Sequence, residues 1–322
     1  AAPLLALGLL SAVVTPALAA WSHDPSQNNS VNQLYGSQVF PAAVSDGAGG
    51  TFVVWQDSRT DAGDLYLQHL TAKGSFAPGW TATGVPVCVT TGTQTSAQIC
   101  SDGAGGVFIA WSDNRSTKWK IYTQRITPSG TVAPGWPATG LQVANDPSYD
   151  ETAPRLCADG AGGAYVGWTR LFSGSDVDVR LTRVNPNATI AAGFPLWIDT
   201  SGGFQQALQL ASDGAGGVFA AYEDNVPGSF DIRVKKYSAA GLPVLDFVYG
   251  PYAGNQREPQ LVADGLGGVL VGFTNSASTP AVTSVFRLVN SGGSQWVANV
   301  LSDAADPRTL VQMVSDGARG AY

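Results

Sequence analysis

Charge is scarce in this chain. Only 13% of its 322 residues are Asp, Glu, Lys or Arg, and the 17 basic residues are outnumbered by 24 acidic ones, for a net charge of -7. A partner with a phosphate backbone needs clustered Lys and Arg, so nucleic acid is excluded as a partner class. Three cysteines do not make a disulfide framework. No run approaches the roughly 20 apolar residues a membrane helix needs. The one concentrated apolar run, residues 4–14, is followed by Pro16 and by Ala17-Leu18-Ala19. That pattern predicts a signal peptide over 1–19, incomplete at its start, and a mature chain beginning at Ala20 or Trp21. Expected from it are export, a secreted or cell-surface location, and no membrane span. Low charge with 39 glycines suits an extracellular all-β protein.

A repeat is present instead. A phrase beginning Asp-Gly recurs at Asp46, Asp102, Asp159, Asp213, Asp264 and Asp316, and most copies read Asp-Gly-Ala-Gly-Gly. Successive anchors lie 56, 57, 54, 51 and 52 residues apart, a period that marks propeller blades or solenoid turns. Apolar segments flank each anchor, such as Pro41-Ala42-Ala43-Val44 before the first and Thr51-Phe52-Val53-Val54-Trp55 after it. The anchor is therefore read as a hairpin turn, its carboxylate capping the turn and its glycines taking positive φ. A phosphate-cradling loop would lead into a helix, and an apolar strand follows here.

The second strand of each complete copy ends in an aromatic: Trp55, Trp111, Trp168, Tyr222 and Phe273. Continuous apolar runs of this kind predict burial on both faces between neighbouring blades. A third strand reads as alternating and carries a recurring basic position, His69, Arg125, Arg183, Lys236 and Arg287. Its repetition predicts a shared structural task, an inter-blade pair or a solvated rim. Turns such as Pro78-Gly79-Trp80 and Pro134-Gly135-Trp136 then lead to a fourth strand. Four strands per repeat make a propeller blade. The expected fold class is an all-β β-propeller of six or seven blades when intact. It divides into an N-terminal closing strand at about 21–36, blades at about 37–89, 90–144, 145–200, 201–250 and 251–301, and a partial blade at 302–322. Cys100 and Cys157 stand two residues before an anchor, where other copies place Val44, Ala211, Val262 and Val314. They are read as buried thiols, and Cys88 as unpaired.

The stretch 41–59, with its anchor turn, apolar strand and Trp55-Gln56-Asp57-Ser58-Arg59, resembles the blades of secreted bacterial sialidase-like propellers of the Asp-box type. Trp111-Ser112-Asp113-Asn114-Arg115 is a second such copy. The resemblance covers about 280 residues as blade layout and implies the propeller fold. A sialidase activity would further require three arginines converging on a carboxylate, a Tyr activated by a Glu, and an Asp acid. In the third copy the arginine, Arg170, stands two places early, and the fourth and fifth copies lack it. The Asp-box turn is replaced by Thr71-Ala72-Lys73-Gly74, and no Tyr and Glu pair is assignable.

Variable polar residues gather in the loops joining second to third strands and in the links between blades, which open on one face of a propeller. This face is the expected site. Its candidate binding residues are Asp57, Arg59, Asp113, Arg115, Tyr149, Asp150, Glu151, Arg155, Arg257 and Glu258, with Asp146, Asp176, Glu223, Asp224, Asn255, Asp306 and Arg308 on the same loops and links. Gln98, Arg155, Gln209, Gln260 and Gln312, each four residues before an anchor, are placed along the channel. No catalytic residue, metal site or cofactor is assigned. The function expected is a monomeric, non-catalytic extracellular binding or scaffold module for glycan or protein. The alternatives are a sialidase-like glycoside hydrolase and a structural spacer repeat.

Overall fold

A computed structural model describes residues 30–61, 63–226, 228–250, 254–276, 281–289, 294–300, 312–316 and 320–322. The predicted signal peptide, the start of the predicted closing strand, Asp306 and Arg308 lie outside the described residues. Among the described residues, twenty strands form five four-stranded antiparallel sheets, each built from consecutive strands in sequence order. The first is β1 (Gln38–Ser45), β2 (Thr51–Asp57), β3 (Asp64–Leu70) and β4 (Val85–Cys88). The second is β5 (Gln94–Ser101), β6 (Val107–Asp113), β7 (Lys120–Ile126) and β8 (Leu141–Gln142). The third is β9 (Asp150–Ala158), β10 (Ala164–Ser173), β11 (Asp176–Val184) and β12 (Leu196–Trp197). The fourth is β13 (Gln205–Ser212), β14 (Val218–Asp224), β15 (Asp231–Tyr237) and β16 (Pro243–Tyr249). The fifth is β17 (Gln256–Ala263), β18 (Val269–Asn275), β19 (Val282–Leu288) and β20 (Ser294–Val300). The first strands neighbour one another in succession, β1 by β5, β5 by β9, β9 by β13 and β13 by β17. This is the blade arrangement of a β-propeller.

The apolar cores lie between blades. One joins Phe52, Val54, Leu65 and Leu67 to Val107, Ile109 and Trp111. The next joins Phe108 and Ile121 to Val166 and Trp168. The series continues with Val179 and Leu181 against Tyr222, and Ile232 and Val234 against Phe273. Trp111, Trp168, Tyr222 and Phe273 thus pack toward the preceding blade, and burial on both faces follows. The third strands of the fourth and fifth blades alternate as expected, but those of the first two do not. In β3 only His69 is less than buried. A middle strand in a stack of blades has no solvent face, so its polar side chains must find partners inside, as Gln68 does on the carbonyls of Val31 and Thr81.

Every anchor is a clasp. Asp102 Oδ1 accepts the backbone N–H groups of Ala104 and Gly106, both at 2.8 Å. Its Oδ2 takes Arg125 Nη2 at 2.8 Å. His69, Arg183, Lys236 and Arg287 make the matching pair with Asp46, Asp159, Asp213 and Asp264. The recurring basic position is therefore bonded first to the anchor of its own blade, and Arg125 and Arg183 reach on to the carbonyls of Pro186 and Ala239 in the next blade, so the expected inter-blade tie is made to backbone and not to a second charge. The anchor's free oxygen and the base meet across three adjacent strands of one sheet. Neighbouring blades are joined as well by Trp80 and Trp136 donating to the carbonyls of Pro128 and Pro186. Gly47 needs its left-handed φ of 78°. The last glycine of the phrase is needed because a Cβ on Gly106 would strike the carbonyl of Ile126 and the Asp102 carboxylate.

Residues 30–36 form no strand, and Gln33 donates its N–H to Ala82 O of the first blade. At the sixth anchor Gly320 N is bonded to Asp316 Oδ1 at 2.8 Å and Val314 pairs with Tyr322. Cys88 is buried, and Cys100 and Cys157 are half-buried free thiols packed beside two different cores. Burial pushes Cys88 and Cys157 up to about 12.

Candidate functional site on the loop and link face

On the face opposite the anchors, each link is laced to the second-to-third loop of the blade before it. Gln94 N donates to Gly63 O, Glu151 N to Trp119 O, and Gln256 N to Phe230 O. Each first strand then carries a bulge. Phe40, Ser96, Ala153, Ala207 and Glu258 all hold φ between 52° and 59°, and the register shifts beside each of them. All five stand six residues before an anchor. L-residues enter this region at a cost, so the fold places the same bend in every inner strand where it approaches the open face.

The Trp-x-Asp-x-Arg copies fold back on themselves. Asp57 Oδ2 takes Trp55 Nε1 at 2.8 Å and Arg59 Nη2 at 2.6 Å. Arg59 also donates to Thr83 O and lies 3.7 Å over the Tyr66 ring. In the second blade Asp113 holds Trp111 and Arg115 in the same way, with Arg115 4.0 Å over Tyr122 and bonded to Cys88 Sγ at 3.1 Å. These four candidates brace their own loops. Arg257 and Glu258 brace too. Arg257 Nε meets the buried Glu223 Oε2 at 2.9 Å, Glu258 N donates to Glu223 Oε1, and the Glu258 carboxylate takes Thr274 Oγ1. Arg155 stands apart on β9, donating to Pro154 O, and burial lowers its pKa. Gln98, Gln209 and Gln260 hold the equivalent register on the neighbouring inner strands.

The third blade breaks the pattern. Arg170 occupies the strand position that Asp57 and Asp113 hold, so the carboxylate comes from the paired strand. Glu151 Oε1 takes Trp168 Nε1 at 3.0 Å and Arg170 Nη2 at 2.6 Å. Arg170 Nη1 reaches Asp146 at 2.9 Å. Lys120, desolvated and so lowered in pKa, donates to Tyr149 O and lies 3.8 Å from Glu151 Oε2. Trp119 N donates to Asp150 at 2.9 Å. Tyr149, Asp150 and Glu151 are thereby gathered at the cleft between the second and third blades.

Residues the sequence reading did not single out complete this cleft. The β10–β11 hairpin extends beyond those of the other blades and carries Phe172, whose ring centroid lies 4.6 Å from that of Tyr149 and 6.1 Å from that of Trp197. Trp197 is 49% exposed. Arg180 pairs across to Trp168 and Trp197 in the sheet, in the place where the first two blades put Tyr66 and Tyr122. Its Cζ lies 2.9 Å over the Trp197 ring, and Arg170 Cζ lies 5.2 Å from the same ring. Burial first and the Arg170 charge second hold Arg180 down at about 10. Burial and the Asp176 charge push Asp178 up to about 6. The available signal was the loss of repeat identity: an arginine in a tyrosine slot and a tryptophan opposite it, where Pro86 and Gln142 stand elsewhere.

No protein-family model and no curated protein sequence matches this chain. Solved structures match its fold. A protein of unknown function from Dyadobacter fermentans is 11% identical with a TM-score of 0.51, over 90% of this chain and 88% of that one. An ulvan lyase, a polysaccharide lyase bound to a saccharide of GlcA and Rha3S, is 11% identical with a TM-score of 0.51, over 81% of this chain and 69% of that one. The same description without a saccharide gives 12% identity and a TM-score of 0.51. At this identity the likeness is one of fold.

Proposed function

We propose that this protein is an exported binding propeller that takes a glycan on its loop and link face, without cleaving it. The observation that carries this reading is the row of Tyr149, Phe172 and Trp197 along the cleft between the second and third blades, edged by Arg170 and Asp150. Sugar rings present apolar C–H faces ringed by hydroxyls, so a row of half-exposed aromatics flanked by charged hydrogen-bonding groups suits them. Four of the buried carboxylates of this face, Asp57, Asp113, Glu151 and Glu223, each hold an arginine. That commitment supports recognition over acid-base chemistry at these residues. A polysaccharide-bound propeller among the structural neighbours is in keeping with the reading.

The test is calorimetry of the protein against plant and microbial oligosaccharides, with parallel assay of the mixtures for newly formed chain ends. Binding should appear with no cleavage, and Trp197→Ala or Phe172→Ala should weaken it about tenfold, the scale of a lost aromatic anchor. Turnover of any bound glycan, or binding indifferent to both substitutions, would overturn the proposal.

A further inference from the structure

A buried guanidinium normally finds a carboxylate or carbonyl acceptor, because an unpaired charge removed from water is costly. Arg180 departs from this. It is 5% exposed, and its Nε and Nη1 have no hydrogen-bond partner. The neighbouring arginine shows the contrast, since Arg170 bonds both Glu151 and Asp146. Asp178, two residues earlier on the same face of β11, feels the Arg180 charge. No acceptor among the described residues bonds Nε or Nη1, although the Glu151, Asp178 and Asp146 carboxylates all act on the charge. Its cover is the indole of Trp197, on a strand of two residues at the outer edge of the blade.

We infer that Arg180 receives an anionic group on the bound sugar, a uronate carboxylate or a sulfate ester, and so selects acidic glycans at the cleft between the second and third blades. This rests on the glycan reading above and adds its substrate class. The chain as a whole is acidic, so the preference is local: Arg180, Arg170 and Lys120 converge within one cleft, where Glu151 and Asp146 are bonded to Arg170, Asp150 takes Trp119 N and burial pushes Asp178 up to about 6. Charge-assisted, two-pronged donation by a guanidinium is the strongest recognition available to a carboxylate or sulfate. The indole that covers the guanidinium then packs on the ring bearing the anion.

The informative variant is Arg180→Tyr, which restores the residue the first two blades carry at this place. Oligogalacturonate, a sulfated galactan oligomer and neutral xylo-oligosaccharide are titrated into wild type and variant. Wild type should prefer one or both acidic ligands. The variant should lose that preference by about tenfold or more, the worth of a charged hydrogen bond, with neutral binding kept within about twofold. Without ligand, the variant should melt at or above the wild-type temperature, because an unsatisfied buried charge has been removed. A large fall in melting temperature would show that Arg180 is already satisfied in the free protein and would overturn the inference. Unchanged acidic binding in Arg180→Tyr, or acidic ligands no tighter than neutral ones in wild type, would overturn it while leaving glycan binding standing. No binding of any glycan would overturn both.

Discussion

In the third blade Arg183 Nη2 lies 2.7 Å from Asp159 Oδ2, while Asp159 Oδ1 takes the N–H groups of Ala161 and Gly163 at 2.7 and 2.8 Å. One carboxylate thus closes a hairpin and ties it to the third strand, and Arg183 goes on to bond Ala239 O of the following blade at 3.0 Å. Asp159→Ala leaves two backbone donors unpaired and a half-buried guanidinium held only by Ala239 O. It should cost about 3–5 kcal/mol, read as a fall in the urea midpoint. Asp159→Asn, which keeps a turn acceptor, should cost less.

The left-handed bulge residues give a test of opposite sign. Ala153 has φ 54° and is exposed, so its methyl brings strain with little packing in return. Ala153→Gly should stabilise the protein by about 0.5–1 kcal/mol, the left-handed penalty less the added freedom of glycine. A β-branched residue there should destabilise it. Thermal melts of Ala153→Gly and Ala153→Val decide both.

Glu151 and Gln94 open equivalent first strands, so comparison of the repeats alone would call Glu151→Gln conservative. It is the reverse. Where the second blade starts its third strand with Lys120 in place of Asp64, the first strand facing it starts with Glu151 in place of Gln94. Glu151 also holds Trp168 and Arg170. Glu151→Gln should therefore cost about 3 kcal/mol or more by leaving buried cations unpaired, measured by chemical denaturation.

Two aspartates should move stability with pH in opposite directions. Burial works against the Asp213 anion, yet the Lys236 hydrogen bond and the N–H groups of Ala215 and Gly217 prevail and lower its pKa. Its contribution is present above the unfolded value of about 3.9 and is lost as pH falls below it. Lys236→Met should shrink that loss. Asp178, held at about 6 by burial, costs stability above pH 6 and stops costing once protonated. Asp178→Asn should stabilise the protein by about 1–3 kcal/mol at pH 8, with the gain vanishing toward pH 4. Denaturation midpoints from pH 3 to 8 for both variants show the signs directly.

Cys88 and Cys157, pushed up to about 12 by burial, should react with a thiol reagent at pH 8 only as fast as the protein opens. Free-thiol rates in native and denatured protein should differ by orders of magnitude.

The repeat by itself determined the fold class, the blade phasing and the turn chemistry, because these follow from local preferences written five times over. An Asp-Gly phrase makes its own hairpin wherever it stands, and an apolar run ending in an aromatic has to be buried. The sequence also held Arg59 and Arg115 at a conspicuous motif, but not their direction. Only packing turned each one back onto its own Asp, over Tyr66 and Tyr122, because a guanidinium at the closed end of a blade gains more from a buried carboxylate than from water. The basic positions likewise recurred in sequence, while their pairing with the anchors needed three strands laid side by side. The cleft was the least legible part. Tyr149, Phe172, Arg180 and Trp197 come from four segments of the third blade and meet only when its strands pair into one sheet. What distinguishes Arg180, the lack of an acceptor around a buried charge, is a property of the space around it that no neighbour in the chain records.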